Sequence, residues 1–143
     1  MDALKLHYDV DGEDFSAAGE ASSNVKKVLR QLGFPQEAIR RTAICMYEGE
    51  INVVIHAGGG FADVTVEPER ITIVLTDHGP GIPDVEKAMS EGWSTAPTKV
   101  RELGFGAGMG LPNMKRYSDE FRIDTTVGVG TTVTMTVNVT QGK

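Results

Sequence analysis

A chain of 143 residues, 40% of them hydrophobic and 24% charged, has room for one domain with its own core, and its composition excludes disordered, collagenous and membrane-spanning classes. A net charge of −6, with lysines and arginines scattered along the chain, gives no general electrostatic reason to bind nucleic acid or an anionic membrane and points to a protein or small-molecule partner. The single Cys45 excludes an internal disulfide, and no basic stretch leads into an apolar one at the N-terminus, so a cytoplasmic location is expected.

Leu4, Leu6, Tyr8 and Val10 alternate with polar residues, which predicts a first strand, and Asp11-Gly12-Glu13-Asp14 predicts a turn. Ala21, Val25, Val28, Leu29 and Leu32 recur at helical spacing, with Ser16 placed to cap that helix and Gly33 placed to end it. Pro35 opens a second helix whose apolar face is expected to carry Ile39, Met46, Tyr47, Ile51, Val54 and Ile55, and which runs out at Gly58-Gly59-Gly60. Cys45 lies within that apolar pattern and reads as buried core, a common place for a free thiol.

Phe61 to Val66 and Ile71 to Thr76 read as strands, and the link Glu67-Pro68-Glu69-Arg70 is so short that they should pair antiparallel. Pro83 to Glu91 fits a short third helix, Gly92 to Gly108 a long polar loop rich in glycine, and Leu111 to Tyr117 the start of a fourth helix. Phe121, Ile123 and Thr125 alternate before Gly128-Val129-Gly130. Val133, Met135, Val137 and Val139 then alternate with threonines in a last strand with one apolar and one wet face. Clustered helices and hairpin-linked strands predict an α+β fold, a two-layer α/β sandwich whose mixed, mostly antiparallel sheet is covered on one face by helices. Residues 1–143 form one domain in this reading, with 92–108 a mobile lid over a ligand, because compact domains rarely carry so long a loop without purpose.

Three groups of residues bear on chemistry. On the second helix Glu48 and Asn52 are four apart and share a face, and His56 continues the line. A carboxylate and an amide oxygen suit Mg²⁺, which keeps several waters and bridges protein to phosphates; the same pair would also suit a solvated helix face. Gly49 between them costs a helix about 1 kcal/mol relative to alanine and asks for a reason such as close packing. Asp77 ends the strand patterned by Ile71, Ile73 and Leu75, beside the turn Asp77-His78-Gly79-Pro80-Gly81. Its carboxylate can accept from an exocyclic amine, which adenine and guanine both offer. From Gly104 to Gly110 glycine occupies every second position, and Pro112 follows in what would be a first helical turn. Free backbone amides there can hold phosphate. Neither G-x-x-x-x-G-K-[ST] nor G-x-G-x-x-G after a strand occurs, which excludes the P-loop and the dinucleotide fingerprint.

Glu48 through Asn52, Asp77 through Gly81, Gly104 through Gly110 and Gly130-Thr131, in this order and across nearly the whole chain, resemble the N box, G1 box, G2 box and late Gly-Thr of the GHKL or Bergerat-fold ATPase family. Asp-His-Gly-Pro-Gly-Ile-Pro-Asp and Leu-Pro-Asn-Met-Lys-Arg-Tyr-Ser-Asp-Glu-Phe are most similar to its anti-sigma-factor and stressosome switch-protein serine-kinase branch. The resemblance implies ATP and Mg²⁺ as cofactors, Glu48 as catalytic general base, Asn52 as Mg²⁺ ligand, Asp77 as adenine reader, and Gly79 and Gly81 as the floor under the ring, with Ile82 beside them. It implies a phosphate cradle of Gly104, Gly106, Gly108 and Gly110 with Met109 and Leu111, phosphate contacts from Ser94 and Thr95 in the lid, and a second adenine contact from Thr131.

The implied activity is a serine/threonine kinase acting on a protein partner, either an anti-anti-sigma (STAS-type) substrate or a sigma factor, and a homodimer is allowed. Nucleic acid and membrane are not expected as partners. Two other readings stay open: an ATP-responsive module that sequesters a sigma factor with little catalysis, and a detached histidine-kinase ATPase domain, which would lack its helical phosphoacceptor segment.

Overall fold

The computed structural model describes residues 3–11, 19–89 and 110–139. Five strands, β1 (Leu4–Asp11), β2 (Gly59–Val66), β3 (Arg70–Asp77), β4 (Glu120–Thr126) and β5 (Gly130–Asn138), form one sheet in the order β1-β2-β3-β5-β4. Every neighbouring pair is antiparallel, whereas the sequence pattern predicts a mixed sheet. The reason is topological. Two helices return the chain between β1 and β2, so these neighbours oppose each other, and β3 and β4 run the same way but are separated by β5, which folds back from β4.

Helices α1 (Glu20–Gln31), α2 (Gln36–Asn52) and α4 (Gly110–Tyr117) cover one face of the sheet, and a single turn, α3 (Val85–Ala88), follows β3. Alternation sets the buried face: Val64, Val66, Ile71, Ile73, Leu75, Met135 and Val137 meet Val25, Leu29, Met46 and Met114 from the helices, all 2% exposed or less. The predicted helix over Pro83 to Glu91 is realised as α3 alone among the described residues, and the predicted lid over 92–108 lies outside them.

The ends of α1 show two different devices. At its C-terminus Gly33 takes φ 79°, the Gly33 N–H donates to Arg30 O and the Phe34 N–H donates to Leu29 O, a Schellman ending that only a residue tolerant of positive φ makes cheaply. At its N-terminus Ser16 lies outside the described residues, and the capping position is Gly19, which has no side chain to accept the first-turn N–H groups. Glu50 supplies the acceptor instead: its Oε2 and Oε1 accept the N–H groups of Ala21 and Ser22, each at 3.2 Å. A carboxylate at the positive end of a helix dipole is favourably placed, which accounts for a charged residue only 3% exposed on the inner face of α2.

That inner face consists of Ala38, Ile39, Thr42, Cys45, Met46, Gly49 and Glu50. Tyr47, predicted for it, is 40% exposed on the outer side, and Ile51 and Ile55 are half-buried. After Asn52 the α-helix gives way to one π-helical turn, Val53–Ala57, so the α-helical stripe of Glu48 and Asn52 ends at Asn52 and does not extend to position 56. No helix among the described residues is long and apolar enough to cross a membrane.

Candidate active site

The site is built in two parts. The first lies where β3 ends. Asp77 pairs with Thr131 of β5 on one side and with Gly60 of β2 on the other. Its Oδ1 accepts the Gly79 N–H at 2.9 Å, closing a local turn, and the Thr131 N–H at 3.2 Å. Among the described residues Oδ2 accepts no hydrogen bond, so within them one carboxylate oxygen is fixed by the backbone and the other is not. The approach is close because of glycine: a Cβ built on Gly130 or on Gly60 would overlap the backbone of the Asp77 segment.

The turn after Asp77 is tied to the β4–β5 hairpin. Gly128 N–H donates to Pro80 O at 2.8 Å, and Ile82 N–H donates to Thr125 Oγ1 at 2.9 Å. Gly81, at φ 79°, lies so near Thr126 that a Cβ would come within 2.6 Å of its carbonyl oxygen. Thr125 Oγ1 is also 2.9 Å from Thr131 Oγ1, so the hydroxyls and Asp77 form one connected polar patch. Thr131 is 6% exposed, which makes it a wall of this corner as much as a contact residue.

The second part lies across α2 and α4. Glu48 and Asn52 are half-buried on one side of α2, and α4 starts against them: a Cβ at Gly110 would stand 4.0 Å from both Glu48 Oε2 and Asn52 Oδ1. Asn113 Nδ2 donates to Glu48 Oε2 at 3.1 Å. The two parts are registered by Gly49, where a Cβ would overlap Leu75 Cδ1 and stand 3.5 Å from Met114 Sδ. Gly49 adjoins Glu48, and Leu75 lies two residues before Asp77, so close packing at a helix glycine sets α2 against the strand that ends in Asp77.

These residues fit a purine nucleotide with a divalent cation on their own chemistry. Asp77 Oδ2 has the chemistry to accept from an exocyclic amine, while Glu48 Oε2 and Asn52 Oδ1 bring two hard oxygens to one spot at the head of α4, where the free N–H groups of a helix's first turn suit an anion. The sequence profile of the histidine kinase-like ATPase domain matches residues 14–137. The chain belongs to that family.

Curated proteins that resemble the chain include the serine/threonine-protein kinase RsbT of Bacillus subtilis, 34% identical over 124 residues that span 84% of this chain and 85% of RsbT. An anti-sigma F factor of Bacillus licheniformis is 27% identical over 129 residues, 86% of this chain and 85% of that protein. Among solved structures, the RsbU and RsbW domains of a Mycobacterium tuberculosis protein superpose with a TM-score of 0.63 at 18% identity, covering 97% of this chain. The chain spans 33% of that longer one, and the likeness is one of fold.

Within this ATPase domain the structure brings Glu48, Asn52 and Gly110 together, and Asp77, Gly79, Gly81, Ile82 and Thr131 together. Leu111 is 6% exposed with its side chain in the core, so its side chain is not a contact residue for a ligand. Ser94, Thr95, Gly104, Gly106, Gly108 and Met109 lie outside the described residues. Sequence reasoning passed over Thr125, Asn113 and Glu50. Thr125 becomes visible only through its pairing with Thr131, and Asn113 only through the crossing of α2 and α4; Glu50 did carry a signal, a carboxylate in register with the buried face of its helix.

Proposed function

We propose that this chain is an ATP-dependent serine/threonine kinase of the partner-switching type, transferring phosphate to a serine of an anti-anti-sigma, STAS-type protein and so regulating transcription. The observation that carries the reading is the Glu48 carboxylate, on a rigid helix beside Asn52 and the head of α4, in a chain 34% identical to a named serine/threonine kinase. Asp77 Oδ2 would accept the adenine amine, with Thr131 and Thr125 completing the polar corner, and Asn52 would hold Mg²⁺. Bound Mg²⁺ and ATP supply the transferable phosphoryl group and the neutralisation of its charge. Glu48 orients the acceptor hydroxyl and takes its proton. The rest of the domain contributes position: strand-borne Asp77 and helix-borne Glu48 are held at fixed separation by the Gly49 and Leu75 packing.

Phosphate on the acceptor adds about −1.5 to −2 charges, enough to disrupt a protein interface and release a partner. The test is transfer of labelled phosphate from Mg·ATP to a purified STAS-domain protein of the same genome. Glu48→Gln is expected to lower the transfer rate by roughly 10² to 10⁴ while nucleotide affinity is retained, the usual scale of general-base assistance. Transfer at the wild-type rate by that variant would remove Glu48 as base. The anti-sigma F relatives favour a second reading, an ATP-responsive module that sequesters a sigma factor; it predicts a stable nucleotide-dependent complex with a sigma factor and no phosphate transfer.

A further inference from the structure

Asn113 lies in the first turn of α4, between Leu111 and Met114, which are 6% and 0% exposed. With both neighbours locked in the core, and Cys45 Sγ lying 3.7 Å from Met114 O as a weak donor, α4 presents the Asn113 amide from a rigid seat. The amide meets Glu48 Oε2 at 3.1 Å. An ionised carboxylate is an acceptor only, so its partner atom is the amide nitrogen, and the chemistry of Glu48 fixes the orientation of the Asn113 side chain. Among the described residues Oε1 accepts no hydrogen bond, so within them the two oxygens of Glu48 are unequal: Oε2 is held by α4 and Oε1 has no donor.

A glutamate has three rotatable bonds, and a base that must meet a hydroxyl within hydrogen-bond distance loses rate when it samples other rotamers. We propose that Asn113 is a positioning residue for Glu48, holding Oε2 so that Oε1 is the oxygen presented to the acceptor hydroxyl. The proposal rests on the kinase reading given above. It adds that the geometry of the base is set by α4 and not by α2 alone. Because α4 begins at Gly110, the last glycine of the run, the helix whose head would face the phosphates also aims the base.

The test combines two substitutions with two readouts. Asn113→Ala and Asn113→Leu both remove the donor, and leucine keeps side-chain bulk and helix propensity should alanine loosen the α4 seat. Transfer of labelled phosphate from saturating Mg·ATP to the same STAS-domain protein is expected to fall about tenfold in each, with the Kd for ATP unchanged within about twofold. In a Glu48→Gln background, Asn113→Leu is expected to cause no further loss beyond about twofold, since there is no base left to aim. An undiminished transfer rate, an equal loss of ATP affinity, or a full tenfold loss on top of Glu48→Gln would each overturn the role assigned to Asn113. The two levels of failure are separable. If Glu48→Gln itself transfers at the wild-type rate, the kinase assignment of Glu48 fails; if it is impaired while the Asn113 variants are not, only the positioning role fails.

Discussion

The two carboxylate oxygens of Asp77 have different surroundings, and this predicts how a conservative change should behave. Oδ1 accepts two backbone N–H groups that an asparagine oxygen could still accept. An Asp77→Asn amide would instead set an N–H₂ where Oδ2 stands, facing a donor with a donor. The fold is therefore expected to survive with little change in melting temperature, while ATP affinity falls by about 1.5–3 kcal/mol, the range for a charge-assisted bond. Isothermal titration checks this, and unaltered affinity would take Asp77 out of the pocket. Cys45 is the opposite kind of residue. It is fully buried, and burial, outweighing the nearby Arg41, pushes its thiol up to about 12. Thiolate is the reactive form, so a disulfide-exchange reagent at neutral pH should leave the native protein unmodified and titrate one thiol only after denaturation.

At the scale of elements, the packing of α2 against β3 and α4 depends on a missing side chain. Gly49→Ala would gain about 1 kcal/mol of helix propensity. The added methyl, however, meets Leu75 Cδ1 in a core where Leu75 is 2% exposed, and overpacking of this kind costs about 1–3 kcal/mol. A net destabilisation of up to about 2 kcal/mol is expected in urea titrations, against the usual stabilising effect of alanine in a helix. A stabilised Gly49→Ala would show that α2 and β3 are less tightly seated than described. The same change would move Glu48 relative to Asp77, so phosphate transfer should suffer more than stability alone explains.

For the whole molecule, Arg41 ties three elements together. Its guanidinium donates from Nη1 to Asp119 Oδ2 and from Nη2 to Asn138 O, each at 2.9 Å, and the Asn138 N–H donates to Asp119 Oδ2 at 2.7 Å. Asp119 lies between α4 and β4, and Asn138 ends β5, so one side chain of α2 clasps the far edge of the sheet. Burial alone would raise the Asp119 pKa, but the Asn138 N–H and the Arg41 guanidinium outweigh it and hold the carboxyl below its ordinary range. A carboxyl whose folded pKa is depressed contributes stability above its unfolded value of about 4, and that contribution is lost as pH falls through the lower folded value. The Asp119 side chain is 35% exposed and screened accordingly, so Asp119→Asn should cost about 0.5–1 kcal/mol at neutral pH. Urea midpoints at neutral pH and at about pH 3 should differ less in that variant than in the wild type. An unchanged acid dependence would place the acid-labile contacts elsewhere.

The order of elements, the hairpin through Glu67 to Arg70, the helix end at Gly33 and the apolar face of the last strand could all be read from the sequence, because each depends on local periodicity or on the backbone freedom of one residue. The glycine-flanked Asp77 and the Glu48 and Asn52 pair could be read as chemistry for the same reason, since four residues along a helix fix a shared face. Tertiary structure alone decided that the sheet is wholly antiparallel, that Tyr47 faces outward, and that a buried Glu50 caps α1 from another helix. It also decided that Asn113 reaches Glu48 and Thr125 reaches Thr131. These depend on which elements come to lie side by side, a matter of packing between segments far apart in the chain, and no pattern within one segment records it.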